Sequence, residues 1–408
     1  MEIPFAPPYI DDNIINEVVK VLKSGWITTG PKVRQLEDEI SKLCMIEKAV
    51  AVNSATTGLF IALKWFGVGE NDEVIIPAYT YSATALAVIN AGARPVMVDC
   101  RKDFTMSTAR LAEKITEKTK AIIPVDFAGL PCDYNRIKKI IDSKFNKQKF
   151  RPATENQHNL GRILILSDSA HSVGALYSKR PSAKQSDISV ISLHAVKNIT
   201  TAEGGIINLN LPKPFNNKNI YKHLKLLTLN GQTKDALSKS KTGSWEYDII
   251  LKGYKANLPD VLASMAIPVL KNYKNYHLPT RKHLFKIYNN TFSKWSVAQT
   301  PISIDQNRET SYHFYPLLLK GVNQNQRNKI IDLIAKQGIG VNVHYKPLPM
   351  LKYFSSLGYK IADFPVSSNL FSRMISLPIY TKLSLENANF ICSAVIKAYE
   401  KVLNVKNS

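Results

Sequence analysis

The chain has 408 residues, 45% hydrophobic and 21% charged, which excludes wholesale disorder and provides apolar material for more than one domain. Its 54 Lys and Arg outnumber 32 Asp and Glu for a net charge of +22, but no run of five or six cations marks a nucleic-acid tail. No uncharged apolar stretch of about 18 residues offers membrane insertion. The opening MEIPFAPPYIDD lacks the basic-then-apolar layout of a secretory leader. Cys44, Cys100, Cys132 and Cys392 form neither a CxxC pair nor a metal spacing, so a reducing, cytoplasmic setting without a metal site is expected.

In chain order, a helix over about 11–24 ends at SGWITTGPK, where Gly25 and Gly30 punctuate a loop. From 49 to 210, short β-branched runs alternate with helical patterns. The strand candidates are 49–52, 73–77, 95–100, 120–125, 162–168, 187–194 and 204–210, with helical segments at 56–66 and 81–92. Apolar runs without polar alternation suit strands buried on both faces of a mainly parallel sheet. The last two runs are close in sequence, so an antiparallel pair is expected there. Residues 143–161 are polar and basic and read as an exposed insertion, and 231–248 as a functional or mobile loop. Beyond about 260 come SYHFYPLLLK (311–320), a helix over 325–338, a strand at 340–345 and a last helix near 385–402. The expected division is therefore an N-terminal segment with a large α/β domain over 1–260, then a small α+β domain over 261–408.

Four features fall at strand ends, where open α/β sheets bind ligands. Asn53-Ser54-Ala55-Thr56-Thr57-Gly58 opens a helix after the first strand; it suits either a phosphate cradle, with Thr56 adding a hydroxyl, or a plain N-cap. Asp168 ends the 162–168 strand, placed to meet a cationic ring nitrogen or to act as a cap or ion pair. Lys197 follows an apolar strand on a tight loop before Gly204-Gly205, where partial burial lowers an amine's pKa and favours Schiff-base chemistry. Tyr79-Thr80-Tyr81 offers an aromatic for stacking or for core packing. Together they are what pyridoxal phosphate requires: a phosphate cradle, a stacking ring, an acid for the pyridine nitrogen and a lysine.

The sequence resembles the DegT/DnrJ/StrS family of pyridoxal-phosphate-dependent nucleotide-sugar aminotransferases. The likeness runs through SGWITTGPKVRQLE (24–37), NSATTG (53–58), SDSAHSVGA (167–175), SLHAVKNITTAEGG (192–205), WEYDIILKGYKANLPDV (245–261) and VNVHYKPL (341–348). It implies the type I, aspartate-aminotransferase-like fold. It also implies Lys197 as the Schiff-base lysine, Asp168 at the pyridinium nitrogen, and His171 near the cofactor's phenolic oxygen. By the same resemblance Ala55, Thr56 and Ser192 contact the phosphate and Tyr81 stacks on the ring. Lys255 and Asn257, in GYKAN, would reach the partner's phosphate site, making a homodimer with shared active sites. The implied reaction takes the amino group of L-glutamate to a nucleotide-linked keto sugar, with neither nucleic acid nor membrane as partner. The chain departs from the family pattern at Asp126, where a His is usual, at Asn230 and at Pro259. Family members that dehydrate sugars carry His in place of the lysine, so Lys197 argues against that alternative. The intact Lys197, Asp168 and Thr56 argue against a non-catalytic relative.

Overall fold

A computed structural model describes residues 2–234 and 245–404. Ten positions of the expected 231–248 loop, 235–244, lie outside the described residues. In chain order the strands are β1 (Lys48–Val52), β2 (Glu73–Pro77), β3 (Arg94–Val98), β4 (Thr119–Ile122), β5 (Leu164–Asp168), β6 (Leu176–Tyr177), β7 (Arg180–Pro181), β8 (Ile188–Ser192) and β9 (Gly205–Leu209). They continue with β10 (Ala298–Gln299), β11 (Arg308–Glu309), β12 (Tyr315–Leu319) and β13 (Met374–Leu377).

The main sheet has the order β1-β9-β8-β5-β4-β2-β3. Its interior pairings, from β3 through β2, β4 and β5 to β8, are parallel. β9 runs antiparallel to both β8 and β1, so the expected reversal lies where the last two runs meet. β2, β4, β5, β8 and β9 are buried along their whole length, because helices cover both faces. That burial is why these strands read as unbroken apolar runs. The expected helices are the Ala55–Trp65 and Ser82–Asn90 segments, and both pack on this core.

A second, three-stranded antiparallel sheet, β10-β12-β13, carries its own core with the helices Leu278–Phe292, Gln324–Ala335 and Leu385–Leu403. Ile3, from the N-terminal tip, is buried in that C-terminal core. A short ribbon, β11-β6-β7, had no counterpart in the expected elements.

Two expectations need correction. Residues 340–345 do not form a strand: single bridges, Ile3 to Ile339 and Asn342 to Ser376, stand in place of a ladder. His344 stays tied to β13, its N–H and Nδ1 lying 3.3 and 3.0 Å from the Ser376 hydroxyl, while His344 and Tyr345 line the cavity at the main sheet, so the apolar pattern reflects packing rather than a ladder. The 143–161 insertion is not simply exposed. It forms the short helices Lys144–Lys149 and Glu155–Leu160, with Asn146, Phe150 and Gln157 buried. Gln157 Nε2 donates to the carbonyls of Phe66 (3.0 Å) and Gly67 (3.3 Å), and Asn156 Nδ2 to that of Trp65 (2.8 Å). These polar side chains satisfy carbonyls that the Ala55–Trp65 helix leaves open at its C-terminus.

Candidate active site

The carboxyl ends of β1, β2, β5 and β8 open onto one cavity of about 480 Å³, whose wall includes Ala55, Thr56, Tyr81, Asp168, His171, Ser192 and Lys197. At the end of β1, Ser54 is extended and its Oγ accepts from Thr57 N at 3.1 Å, capping the Ala55–Trp65 helix. The Ala55 and Thr56 amides in that first turn have no acceptor within the helix, which leaves a partly positive helix end at the cavity wall. β9 passes close behind it: a Cβ on Gly205 would stand 2.5 Å from Ala55 N, so only glycine fits. Ser192, at the end of β8, accepts from His194 N at 3.3 Å.

Asp168 is buried at the tip of β5. Its Oδ2 accepts from Thr84 Oγ1 at 2.8 Å and its Oδ1 from Ala170 N at 3.2 Å. Burial pushes its pKa up; the hydrogen bonds from Thr84 and Ala170 and the charge of Lys197 oppose that rise. Burial pulls the Lys197 amine down to about 8, with the Asp168 charge acting the other way. An ordinary lysine titrates near 10.4, so Lys197 gives up its proton at a pH well below the usual one.

Around them stand histidines held neutral. Burial lowers the pKa of His171, and Lys197 and His344 push it further down. His344 falls to about 3 through burial and the Lys197 charge. The His171 ring stacks on His313 (centroids 4.4 Å apart), and its Nε2 is 3.1 Å from Tyr345 Oη. His313 Nδ1 lies 2.8 Å from Asn198 Oδ1, and Asn198 Nδ2 donates to the Tyr273 hydroxyl and the Ser311 carbonyl. Those two donations fix the amide orientation, so His313 carries its hydrogen on Nδ1. Tyr81 is 58% exposed, with its ring tilted 5.4 Å from that of Tyr345.

Seven of the nine residues singled out in the sequence therefore meet in one cavity. Lys255 and Asn257 do not line it within this chain. Lys255 is exposed, and Asn257 Nδ2 donates to Thr29 Oγ1 at 2.7 Å, beside the segment SGWITTGPK. Thr84, Asn198, His313, His344, Tyr345 and Phe5 were not anticipated as site residues. His344 and Tyr345 lie in VNVHYKPL, one of the segments that carried the resemblance, so a signal was present for them. Asp126, where the family pattern has His, is fully buried and accepts from Cys132 N (2.9 Å), Tyr134 Oη (2.8 Å) and Ser182 Oγ (2.8 Å). It serves the framework and does not line the cavity.

A poised amine, a buried carboxylate and a helix-end cradle at the carboxyl edge of a mainly parallel sheet define an aminotransferase site of the type I fold. Residues 8–396 match the DegT/DnrJ/EryC1/StrS aminotransferase family, and the chain belongs to it. Spr1654 from Streptococcus pneumoniae, solved in its PMP form, is 42% identical and superposes with a TM-score of 0.94 over 98% of this chain and 100% of that one. The spore coat polysaccharide biosynthesis protein SpsC of Bacillus subtilis is 32% identical over 398 residues, 96% of each chain. The uncharacterized protein MJ1066 of Methanocaldococcus jannaschii is 35% identical over 400 residues, 96% of this chain and 97% of its own.

Proposed function

We propose that the protein is a pyridoxal-phosphate-dependent sugar aminotransferase that moves an amino group from L-glutamate to a nucleotide-linked keto sugar. The acceptor in this reading is a 4-keto sugar of UDP or dTDP, and the product an amino sugar for a cell-surface polysaccharide or related glycan. The observation that carries it is the pairing of Lys197, its pKa near 8, with the buried Asp168 in one cavity. Spr1654 is solved in PLP and PMP forms, and SpsC takes its name from polysaccharide biosynthesis; both support the reading.

The residues present fit the cofactor. The cavity wall brings together the helix-end amides behind Gly205, the Asp168 carboxyl, the Lys197 amine and a His171 whose buried Nδ1 has no hydrogen-bond partner. Ala55, Thr56 and Ser192 would hold its phosphate, Asp168 its ring nitrogen, Tyr81 its face and Lys197 its aldehyde carbon. When bound, pyridoxal phosphate supplies an electron sink for a carbanion formed next to the transferred nitrogen. Lys197 Nζ, whose pKa is lowered to about 8, would take and return the proton at that carbon. Asp168, fixed by Thr84, would present its carboxyl where a ring N–H needs an acceptor. Neutral His171, His313 and His344 place no further cation beside the amine.

The assembly we propose is a cytoplasmic homodimer, in which Lys255 and Asn257 of one copy complete the phosphate site of the other. Large apolar side chains just before GYKAN support it: Trp245 is 78% exposed, Ile249 53% and Ile250 57% in the single chain. Among the described residues no helix is long and apolar enough to cross a membrane. A division near residue 260, into the large α/β domain and the small C-terminal one, belongs to the same reading.

The test is incubation with L-glutamate and a panel of UDP-, dTDP- and GDP-keto sugars, with products identified by mass spectrometry. Amination of a 4-keto UDP or dTDP sugar is expected. Amination of none of the panel refutes the reading.

A further inference from the structure

Residues 2–10 run as a strap beside the cavity, with Phe5 in its wall. Ile3 is pinned to the C-terminal core: its N–H donates to Gly338 O at 2.8 Å and its carbonyl accepts from Gly340 N at 2.7 Å. At the other end, Lys382 Nζ donates to Ile10 O at 2.7 Å, and Tyr9 meets the His277 ring edge-on at 4.7 Å. Between the anchors, Pro4, Pro7 and Pro8 restrict the backbone. Gly340 is what lets the strap lie down, because a Cβ there would stand 2.7 Å from Phe5 N and 3.2 Å from Ile3 O. The half-buried Phe5 ring is thereby delivered to the cavity wall and stacks on His344 at 5.2 Å, with Phe314 on that imidazole at 4.5 Å.

Phe5 lines the main cavity together with Lys197, His344 and Tyr345, and shares with them an adjoining recess of about 30 Å³. It thus stands in the neighbourhood of the reactive amine. A small dicarboxylate donor has no apolar face to match an aromatic ring, and neither has a diphosphate. A pyranose ring has one: its C–H groups pack on aromatic faces while hydroxyls turn to polar neighbours such as Asn342. A nucleobase is flat too, but two phosphates separate it from the sugar carbon that must reach Lys197.

We propose that Phe5, held by the N-terminal strap on Gly340, is the apolar wall for the sugar ring of the acceptor and so a specificity-determining residue. The inference rests on the nucleotide-sugar reading above. Its test is binding, measured by calorimetry with UDP-glucose against UDP and dTDP-glucose against dTDP. Phe5→Ala should bind the sugar nucleotide of the preferred pair roughly two- to tenfold more weakly, and the bare nucleotide as wild type does. Phe5→Tyr should restore most of the loss, and Gly340→Val, which displaces the strap, should reproduce it. Bare-nucleotide binding doubles as the check that each variant is folded. Equal weakening for sugar nucleotide and nucleotide overturns the proposal, as does no weakening of either. If wild type aminates a keto sugar while Phe5→Ala binds as wild type does, the wall is wrong and the proposed function stands. If wild type aminates none and binds neither sugar nucleotide, both fall.

Discussion

Thr84 donates its hydroxyl hydrogen to Asp168 Oδ2 at 2.8 Å, joining the helix after β2 to the tip of β5 across 84 residues of sequence. That bond lowers the Asp168 pKa against the burial that raises it. Thr84→Val removes a hydrogen bond to a charged group, worth about 1.5–3 kcal/mol. The Asp168 pKa then rises further, and the acid limb of the kcat/KM profile should move to higher pH while the alkaline limb stays. Asp168→Asn should still take up the cofactor, seen as an absorbance band, but turn over more slowly by orders of magnitude. Near-normal turnover of Asp168→Asn would reduce that residue to a structural cap.

Lys197 offers a pH test that needs no substrate. Its folded pKa is lowered to about 8, so below that pH the amine is protonated and unreactive, and above it the amine is free. Reductive methylation of cofactor-free protein should label Lys197 with a midpoint near pH 8, well below the roughly 10.4 of ordinary lysines. Peptide mapping reads the site. Lys197→Ala should abolish turnover and also prevent borohydride from fixing the cofactor to the chain; label on another lysine would refute the assignment.

Asp126 tests the framework rather than the chemistry. Asp126→Ala leaves three buried donors, on Cys132, Tyr134 and Ser182, without their acceptor. Ser182 Oγ keeps Ser172 Oγ at 3.3 Å as a second acceptor, but the Cys132 and Tyr134 donors lose theirs, at roughly 1–3 kcal/mol each. Thermal denaturation should shift down clearly, while the folded fraction keeps the cofactor absorbance of wild type. Loss of the cofactor band without loss of stability would place Asp126 in the active site instead.

Much of this was legible in the sequence because burial leaves a mark on composition. β2 and β5 are buried on both faces, so EVIIP (73–77) and RILILSD (162–168) read as strands. Strand ends point to Asp168 and Lys197 as neighbours, and the family resemblance adds Ser192. What stayed hidden depends on contacts between distant segments. His171 and Tyr345 meet across 174 residues, and no local period announces such a pair. Gln157 and Asn146 look solvated by type, yet both are buried, Gln157 at helix-end carbonyls. Phe5 sits in a proline-rich stretch with no element of its own; its place depends on contacts with Gly340 and His344, far along the chain.

The proposed shared site makes the furthest-reaching prediction. Lys255 is exposed and Asn257 is turned to Thr29, and neither lines the cavity of its own chain. If both serve the partner's phosphate, each contributes a hydrogen bond to a charged group, about 1.5–3 kcal/mol. A Lys255→Ala, Asn257→Ala double variant should therefore bind pyridoxal phosphate more weakly while its thermal stability without cofactor changes little. Mixing it with Lys197→Ala should recover part of the lost activity. In a mixed dimer, one site takes Lys197 from the first chain and Lys255 and Asn257 from the second, so one of the two sites is intact. Sites built within single chains cannot rescue each other in this way. Subunit exchange is verified by native mass spectrometry before the assay, so that silence has one meaning. No activity from a verified mixed dimer would show that Lys255 and Asn257 act within their own chain or not at all.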